Sequence, residues 1–335
     1  MTYGAPDADF YPPALLRHAH AQSVLASLKI RLPFIHHRAG DMMAASTYTV
    51  IEGDDGVRLS GLYTPAADGA PLVVLIHGWE GSASSQYILS CAAHLWRRGY
   101  AIFRLQLRDH GDSHHLNPEV FHSCRLDETA ESVRQIAQRY APPQLFLGGF
   151  SLGGNFSLRI AAVAETIGLS LDGVCAVSPV IDPSPTLRHM QNGPAIYRYY
   201  FMRKWRRSLR TKHNHFPDAF DMSVLDTHRE LLPLTKVLVE TVGGFDTVED
   251  YFDGYSVRGD RLSTVTAPTA ILSAIDDPIV PDEPLAALPP QPNIRVERRK
   301  HGGHCGFLFN LHRESYADHF MLDWFEQHRR STSHA

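Results

Sequence analysis

Short aliphatic runs alternate with longer stretches of helical periodicity along most of the chain, and this alternation limits the fold more than any other feature. The runs lie at residues 72–76, 100–105, 145–147, 173–177, 269–273 and 294–298, and the helical stretches at 84–98, 127–140, 153–164 and 313–328. Strands separated by helices pair in parallel, since the crossover returns the chain in the same direction. The sequence predicts an α/β fold with a mostly parallel sheet, helices on both faces and a functional crevice at the carboxyl ends of the strands.

Two segments depart from this alternation. Alternating residues at 48–51 and 57–63 flank the turn Gly53-Asp54-Asp55-Gly56, which predicts an antiparallel hairpin at one edge of the sheet. Residues 182–262 lack a strand pattern but are rich in aromatic and basic side chains, which favours a helical insertion that caps the sheet. We therefore expect an N-terminal arm of low periodicity (1–45), a core (46–182 and 263–335) and a helical cap (183–262).

Composition excludes several classes of protein. The 335 residues are 44% hydrophobic and 20% charged, as in a globular chain, and the formal charge of −4 disfavours nucleic-acid binding. The longest aliphatic run covers only residues 72–76, and the first sixteen residues contain neither Lys nor Arg. We expect no transmembrane segment, no secretory signal and a cytoplasmic location.

The motif Gly149-Phe150-Ser151-Leu152-Gly153 lies where a predicted strand meets a predicted helix. A sharp turn at that place lifts a serine hydroxyl above the sheet, provided that the residues two before and two after it lack bulk. Glycine satisfies this requirement on both sides. The motif therefore predicts Ser151 as a nucleophile.

Carbonyl attack also needs N–H donors for the oxyanion. The position of Leu152, directly after the serine, makes its N–H one candidate. The loop His77-Gly78-Trp79-Glu80-Gly81-Ser82 follows the first buried strand and offers the N–H of Trp79 as the second. We expect His77 to support this loop structurally, because a base that precedes the serine does not fit the chain order of this architecture.

The base and its acid are expected after the nucleophile. Asp276 and Asp277 follow the strand at 269–273, and the loop Lys300-His301-Gly302-Gly303-His304 follows the next strand. His304 is preferred to His301 because two glycines free the loop before it. Asp277 is preferred because Pro278 holds it extended, although the sequence leaves Asp276 open.

These motifs together resemble those of the α/β-hydrolases, and specifically the YheT-like hydrolase family, from about residue 75 to 310. The resemblance implies that Ser151, Asp277 and His304 are nucleophile, orienting acid and general base of a metal-free carboxylester hydrolase. The loop Leu107-Arg108-Asp109-His110-Gly111-Asp112-Ser113-His114-His115 departs from the family's usual Arg-Gly turn, so its effect on substrate choice stays open.

We expect a serine hydrolase that cleaves carboxylic esters of a small molecule or a lipid through an acyl-enzyme, without a cofactor. Acyl transfer by the same residues, or a scaffold that binds a ligand without catalysis, are the alternatives. Twenty histidines raise a metal site as a further hypothesis, with His18 and His20, His114 and His115, and His213 and His215 as partial ligand sets, but no H-E-x-x-H motif supports it.

The cap carries a cluster of seven cations at residues 198–212, and no acidic residue lies between Asp182 and Asp218. The cations are Arg198, Arg203, Lys204, Arg206, Arg207, Arg210 and Lys212. We interpret the stretch as a helix with a solvated basic face. Weak peripheral contact with an anionic membrane is the sharper hypothesis.

Overall fold

The computed structural model describes residues 10–312 and 315–330. In this part of the chain a single sheet of eight strands forms the centre of the molecule, in the order β1-β2-β4-β3-β5-β6-β7-β8. The strands are β1 Thr47–Glu52, β2 Arg58–Thr64, β3 Leu72–Ile76, β4 Ala101–Gln106, β5 Leu145–Phe150, β6 Gly173–Val177, β7 Thr269–Ala274 and β8 Ile294–Arg299. Strand β2 pairs antiparallel with β1 and β4, and all other pairs are parallel. The predicted α/β class and edge hairpin are confirmed.

Helices cover both faces of this sheet, as the sequence predicts. The helices of the described chain are α1 Ala19–Ser27, α2 Leu32–Ala44, α3 Gln86–Trp96, α4 Leu126–Tyr140, α5 Leu152–Val163, α6 Pro183–Asn192, α7 Ala195–His215, α8 Val224–Thr227, α9 Leu231–Thr241, α10 Val248–Tyr255, α11 Glu283–Ala286 and α12 Tyr316–His328. Successive residues of a strand point to opposite faces. Accordingly Leu72, Val74 and Ile76 belong to an apolar cluster with α4 and α5, whereas Val73 and Leu75 belong to a second cluster with α2, α3 and α12.

The segment between β6 and β7 contains the helices α6 to α10 and, throughout residues 182–262, no strand. These helices have an apolar cluster of their own, which reaches the loops after β3 and β7 at Trp79, Ile279 and Val280. The predicted limits of the cap, 183 and 262, remain a prediction about domain organisation.

The N-terminal arm is helical in its described part, which the low periodicity of its sequence does not predict. Helix α1 turns Gln22, Ser23 and Ala26 inward, and two of these three side chains are polar. Hydrophobic periodicity misses such a helix because polar residues occupy its buried face. Residues 1–9 of the predicted arm lie outside the described residues.

Buried ion pairs connect the sheet to the cap through the loop that departs from the family pattern. Arg108 Nη2 lies 2.6 Å from Glu128 Oε2, and Lys212 Nζ lies 2.8 Å from Asp109 Oδ1. None of these side chains exposes more than 6% of its surface. The loop therefore fastens α7 to the core. Among the described residues, no helix is both long enough and apolar enough to cross a bilayer.

Candidate active site

Ser151 occupies a sharp turn between β5 and α5, with φ of 55° and ψ of −119°. A serine with positive φ is strained and persists only where its surroundings impose the conformation. The backbone N–H of Ser151 donates to the Val177 carbonyl at 2.8 Å. A Cβ on Gly149 would lie 2.1 Å from the Gly153 oxygen, and one on Gly153 would lie 2.2 Å from the Ile76 oxygen. Both flanking glycines are therefore required by the close approach of backbone.

The loops after β5, β7 and β8 bring Ser151, Asp277 and His304 into one hydrogen-bonded chain. His304 Nε2 lies 2.9 Å from Ser151 Oγ, and His304 Nδ1 lies 2.8 Å from Asp277 Oδ2. The other oxygen of Asp277 accepts the backbone N–H groups of Ile279 and Val280 at 2.8 and 2.9 Å. The carboxylate is thus fixed by its own turn and can orient the imidazole.

Asp276 and His301, the less favoured candidates for acid and base, form a separate pair. Asp276 Oδ2 lies 3.6 Å from His301 Nδ1, and Asp276 Oδ1 accepts the backbone N–H of Gly303 at 2.9 Å. Asp276 thereby supports the loop that carries His304. The hydrogen-bonded chain to Ser151 runs through Asp277 and His304, as the sequence favours.

The electrostatic environment favours the protonated form of His304. Burial alone lowers the pKa of His304, but the charge and the hydrogen bond of Asp277, helped by Cys305, outweigh it and raise that pKa well above 6.5. An imidazole of this kind is well suited to take a proton from a hydroxyl and hold it beside the carboxylate.

The residues of the predicted oxyanion donors, Trp79 and Leu152, line the same cavity as Ser151. Leu152 is the first residue of α5, so its N–H has no partner within the helix. Neither this N–H nor that of Trp79 donates to another group in the described part of the chain. Both remain free for a ligand.

Hydrogen bonds from two side chains hold the loop that carries Trp79. His77 uses both ring nitrogens: Nδ1 lies 2.8 Å from the Gly78 oxygen, and Nε2 accepts the Leu107 N–H at 3.2 Å. Burial lowers the pKa of His77 to about 4, so the ring is neutral. The expected structural role of His77 is confirmed. The second side chain is Lys204 of α7, whose Nζ donates to the Glu80 carbonyl at 2.9 Å.

A largely apolar cavity opens beside Ser151, and the space between its lining atoms amounts to about 990 Å³ when the open solvent at its mouth is included. Its aromatic lining comprises Trp79, Phe121, Phe201, Trp205, Tyr251, Phe252 and Tyr255. Helix α9 contributes Thr235, Leu238 and Val239 to the wall. Most of the lining residues belong to the segment between β6 and β7, so this segment shapes the space available to a substrate. No residue of the 107–115 loop lines it.

The basic stretch of α7 differs from the expected solvated face. Lys212 is buried, and Lys204 and Arg206 turn partly inward to backbone carbonyls. Only Arg203, Arg207 and Arg210 are exposed among the seven cations. Charge alone could not predict this division, since it depends on which acceptors the loops offer.

Two of the histidines considered as metal ligands have other partners. His20 Nδ1 lies 2.8 Å from the Tyr197 hydroxyl, and His114 Nε2 lies 2.8 Å from Ser208 Oγ. Within residues 10–312 and 315–330, no three His, Cys, Asp or Glu side chains are arranged to hold an ion.

A family model of the α/β-hydrolase fold matches residues 71–311, which is most of the chain. The chain belongs to the α/β-hydrolase family. Among its relatives is YheT of Escherichia coli (strain K12), whose name proposes an esterase and which is 23% identical over 95% of this chain and 93% of its own length. A Synechocystis protein, slr0264, has the same kind of name and is 26% identical over 83% and 84%. This α/β-hydrolase is therefore YheT-like and esterase-like.

More distant similarities extend the comparison. Mouse phospholipase ABHD3 is 22% identical over 89% of this chain and 73% of its own. The solved Pyrococcus furiosus esterase Pf2001 superposes with a TM-score of 0.57 at 14% identity, covering 86% of this chain and 94% of its own. A bacterial membrane phospholipase A gives the same TM-score at 17% identity, with 93% and 96% covered. At these identities the two structures show the shared fold.

Proposed function

We propose that this α/β-hydrolase is a serine esterase that acts through an acyl-enzyme, with Ser151 as nucleophile, His304 as general base and Asp277 as orienting acid. The observation that carries the proposal is the unbroken chain from Asp277 Oδ2 to His304 and from His304 Nε2 to Ser151 Oγ, at 2.8 and 2.9 Å. Both distances are normal for proton transfer between these groups. The strained turn at Ser151 supports the same role.

In the proposed reaction His304 Nε2 takes the hydroxyl proton while Ser151 Oγ attacks the ester carbonyl carbon. The carbonyl oxygen becomes an oxyanion, which the N–H groups of Trp79 and Leu152 stabilise, each by about 3 to 4 kcal/mol. The protonated imidazole then gives its proton to the departing alkoxide, and the alcohol leaves. Water repeats the sequence on the acyl-enzyme, releasing the acid and restoring Ser151.

The lining of the cavity favours a substrate ester with an apolar acyl group. Its wall is mainly aliphatic and aromatic, so burial of an alkyl chain is worth about 0.8 kcal/mol for each methylene. Only a few polar groups, such as Thr235 and Ser123, interrupt this surface. Lipid esters and medium-chain esters fit that chemistry.

Labelling by a fluorophosphonate probe tests the proposal. We expect wild type to be labelled once and Ser151→Ala to remain unlabelled with unchanged folding. A graded series of p-nitrophenyl esters should show kcat/KM rising with acyl length, and Val239→Trp should remove that rise while leaving the acetate rate nearly unchanged. Equal labelling of both proteins would reject Ser151, and products formed mainly with added alcohols would favour acyl transfer over hydrolysis.

We further propose that α7 contacts an anionic lipid surface. Ile196, Tyr199 and Tyr200 are 57%, 69% and 41% exposed, and Arg203, Arg207 and Arg210 continue the same exposed side of the helix. Aromatic and aliphatic groups followed by cations suit the boundary between acyl chains and headgroups. Lys204, one turn away, donates to the loop of Trp79, so this surface lies next to the site.

Co-sedimentation with phosphatidylglycerol vesicles tests this contact. Each cation near such a surface contributes about 1 kcal/mol, so reversing Arg203, Arg207 and Arg210 to Glu should weaken binding by roughly a hundredfold or more. The matched control reverses three exposed cations elsewhere, Lys236, Arg258 and Arg330. Binding that does not depend on the salt concentration, or that weakens equally in both variants, would contradict the proposal.

A further inference from the structure

The loop that carries His304 has a strained backbone. Gly303, Cys305 and Phe307 all have positive φ, at 54°, 55° and 48°. Cys305 and Phe307 carry side chains that disfavour this region, so the backbone is strained at both residues. Such a loop keeps its shape only if its neighbours hold it there.

Helix α1 of the N-terminal arm supplies hydrogen bonds to this loop. Ser23 Oγ accepts the backbone N–H of His304 at 2.8 Å and donates to the Ala19 carbonyl at 2.8 Å. Gln22 Oε1 accepts the backbone N–H of Leu308 at 2.7 Å, and Gln22 Nε2 donates to the Leu308 carbonyl at 3.1 Å. Both backbone groups of one residue are thus satisfied by one side chain.

The contact between α1 and the loop is also close in space. A Cβ on Gly303 would lie 2.5 Å from the Ala19 carbonyl oxygen and 2.6 Å from Ser23 Oγ. A Cβ on Gly306 would lie 2.8 Å from the Gln22 carbonyl oxygen. Gln22 is fully buried and Ser23 is 5% exposed, so water cannot replace their hydrogen bonds without an opening of the structure.

We infer that Gln22 and Ser23 are positioning residues for His304, and that the N-terminal helix is an integral part of the active site. This inference rests on the proposed role of His304 as general base. Ser23 fixes the backbone of the base itself, and Gln22 fixes the loop four residues later, on the far side of the strained turn. Their loss lets the imidazole leave the line between Asp277 and Ser151.

The variant Ser23→Ala, with Ser27→Ala as its matched control, tests the inference. Both serines lie on α1, and Ser27 Oγ also donates to the carbonyl four residues before it, at 3.2 Å from the Ser23 oxygen. The two variants lose the same local bond, but only Ser23→Ala loses the acceptor of the His304 N–H. We expect kcat to fall about tenfold to a hundredfold in Ser23→Ala with KM nearly unchanged, and neither value to change in Ser27→Ala.

A second measurement separates positioning from general destabilisation. Proton NMR of folded protein should show the far-downfield resonance of the His304 Nδ1–H bonded to Asp277 in wild type and Ser27→Ala, but weakened or exchange-broadened in Ser23→Ala. Gln22→Met, which keeps side-chain length but removes the amide, should act in the same direction. Wild-type kcat and an intact resonance in folded Ser23→Ala and Gln22→Met would overturn the inference. An unlabelled wild type in the fluorophosphonate assay would instead overturn the proposed function.

Discussion

Replacement of Asp277 by asparagine is the sharpest test of how His304 is oriented. The amide oxygen of the introduced asparagine can still accept the N–H groups of Ile279 and Val280, so the turn should remain folded. The amide nitrogen, however, would face His304 Nδ1 as a donor. The imidazole would then carry its proton on Nε2 and could not accept one from Ser151, which lies 2.9 Å away.

A wrong tautomer of this kind costs about 10⁴ in kcat, or about 5 kcal/mol of transition-state stabilisation. The assay is the steady-state hydrolysis of a p-nitrophenyl ester, with the melting temperature of each variant as a check on folding. Asp276→Asn is the matched control, because the neighbouring carboxylate pairs with His301 and with the Gly303 N–H. We expect a loss below about tenfold there. Comparable losses in the two variants, or a loss below about tenfold in Asp277→Asn, would show that Asp277 does not orient His304.

Three further predictions follow from the same structure. Activity should rise with pH to a plateau with a midpoint above 6.5, because Asp277 raises the pKa of His304 and the base works only when neutral. The midpoint of the kcat/KM profile should move to lower pH in Asp277→Asn. A flat profile between pH 5 and 8 would exclude His304 as the general base. Gly153→Ala should abolish activity and lower the free energy of unfolding in urea by at least about 1 to 3 kcal/mol, because its Cβ would lie 2.2 Å from the Ile76 oxygen. Gly40→Ala in α2 is the control: a Cβ there meets nothing within 4 Å, so the free energy of unfolding should stay unchanged or rise. Lys212→Met should lower the free energy of unfolding by about 3 to 5 kcal/mol, because it leaves Asp109 buried without its partner. Lys236→Met, which breaks a more exposed pair with Glu240 at 4.0 Å, should lower it by about 1 kcal/mol or less. Similar losses in both variants would show that burial of the Lys212–Asp109 pair is unimportant.

Much of the core is predictable from sequence because its signals are local. A strand such as 72–76 is wholly aliphatic, and Gly149 and Gly153 reveal the turn around Ser151 without reference to the rest of the chain. For an unperturbed histidine, by contrast, the sequence alone predicts a pH profile with a midpoint of about 6.5. The structure moves it upward, since the contact with Asp277 is a tertiary one.

The features that the sequence does not predict depend on contacts between distant segments. Gln22 and Ser23 resemble ordinary polar residues of an exposed helix, and their burial is set by a loop nearly 300 residues later. In the same way, Lys212 cannot be distinguished from its exposed neighbours until Asp109 lies beside it. Polar groups buried by tertiary partners leave no periodic trace in the sequence.

The most direct test of catalysis through an acyl-enzyme on Ser151 is acid-quenched mass spectrometry of the protein mixed with a p-nitrophenyl ester. We expect one added acyl group, carried by the peptide that contains Ser151, which appears before steady state and is absent from Ser151→Ala. Turnover without any acylated peptide under conditions that slow deacylation, or an acyl group on another residue, would contradict it.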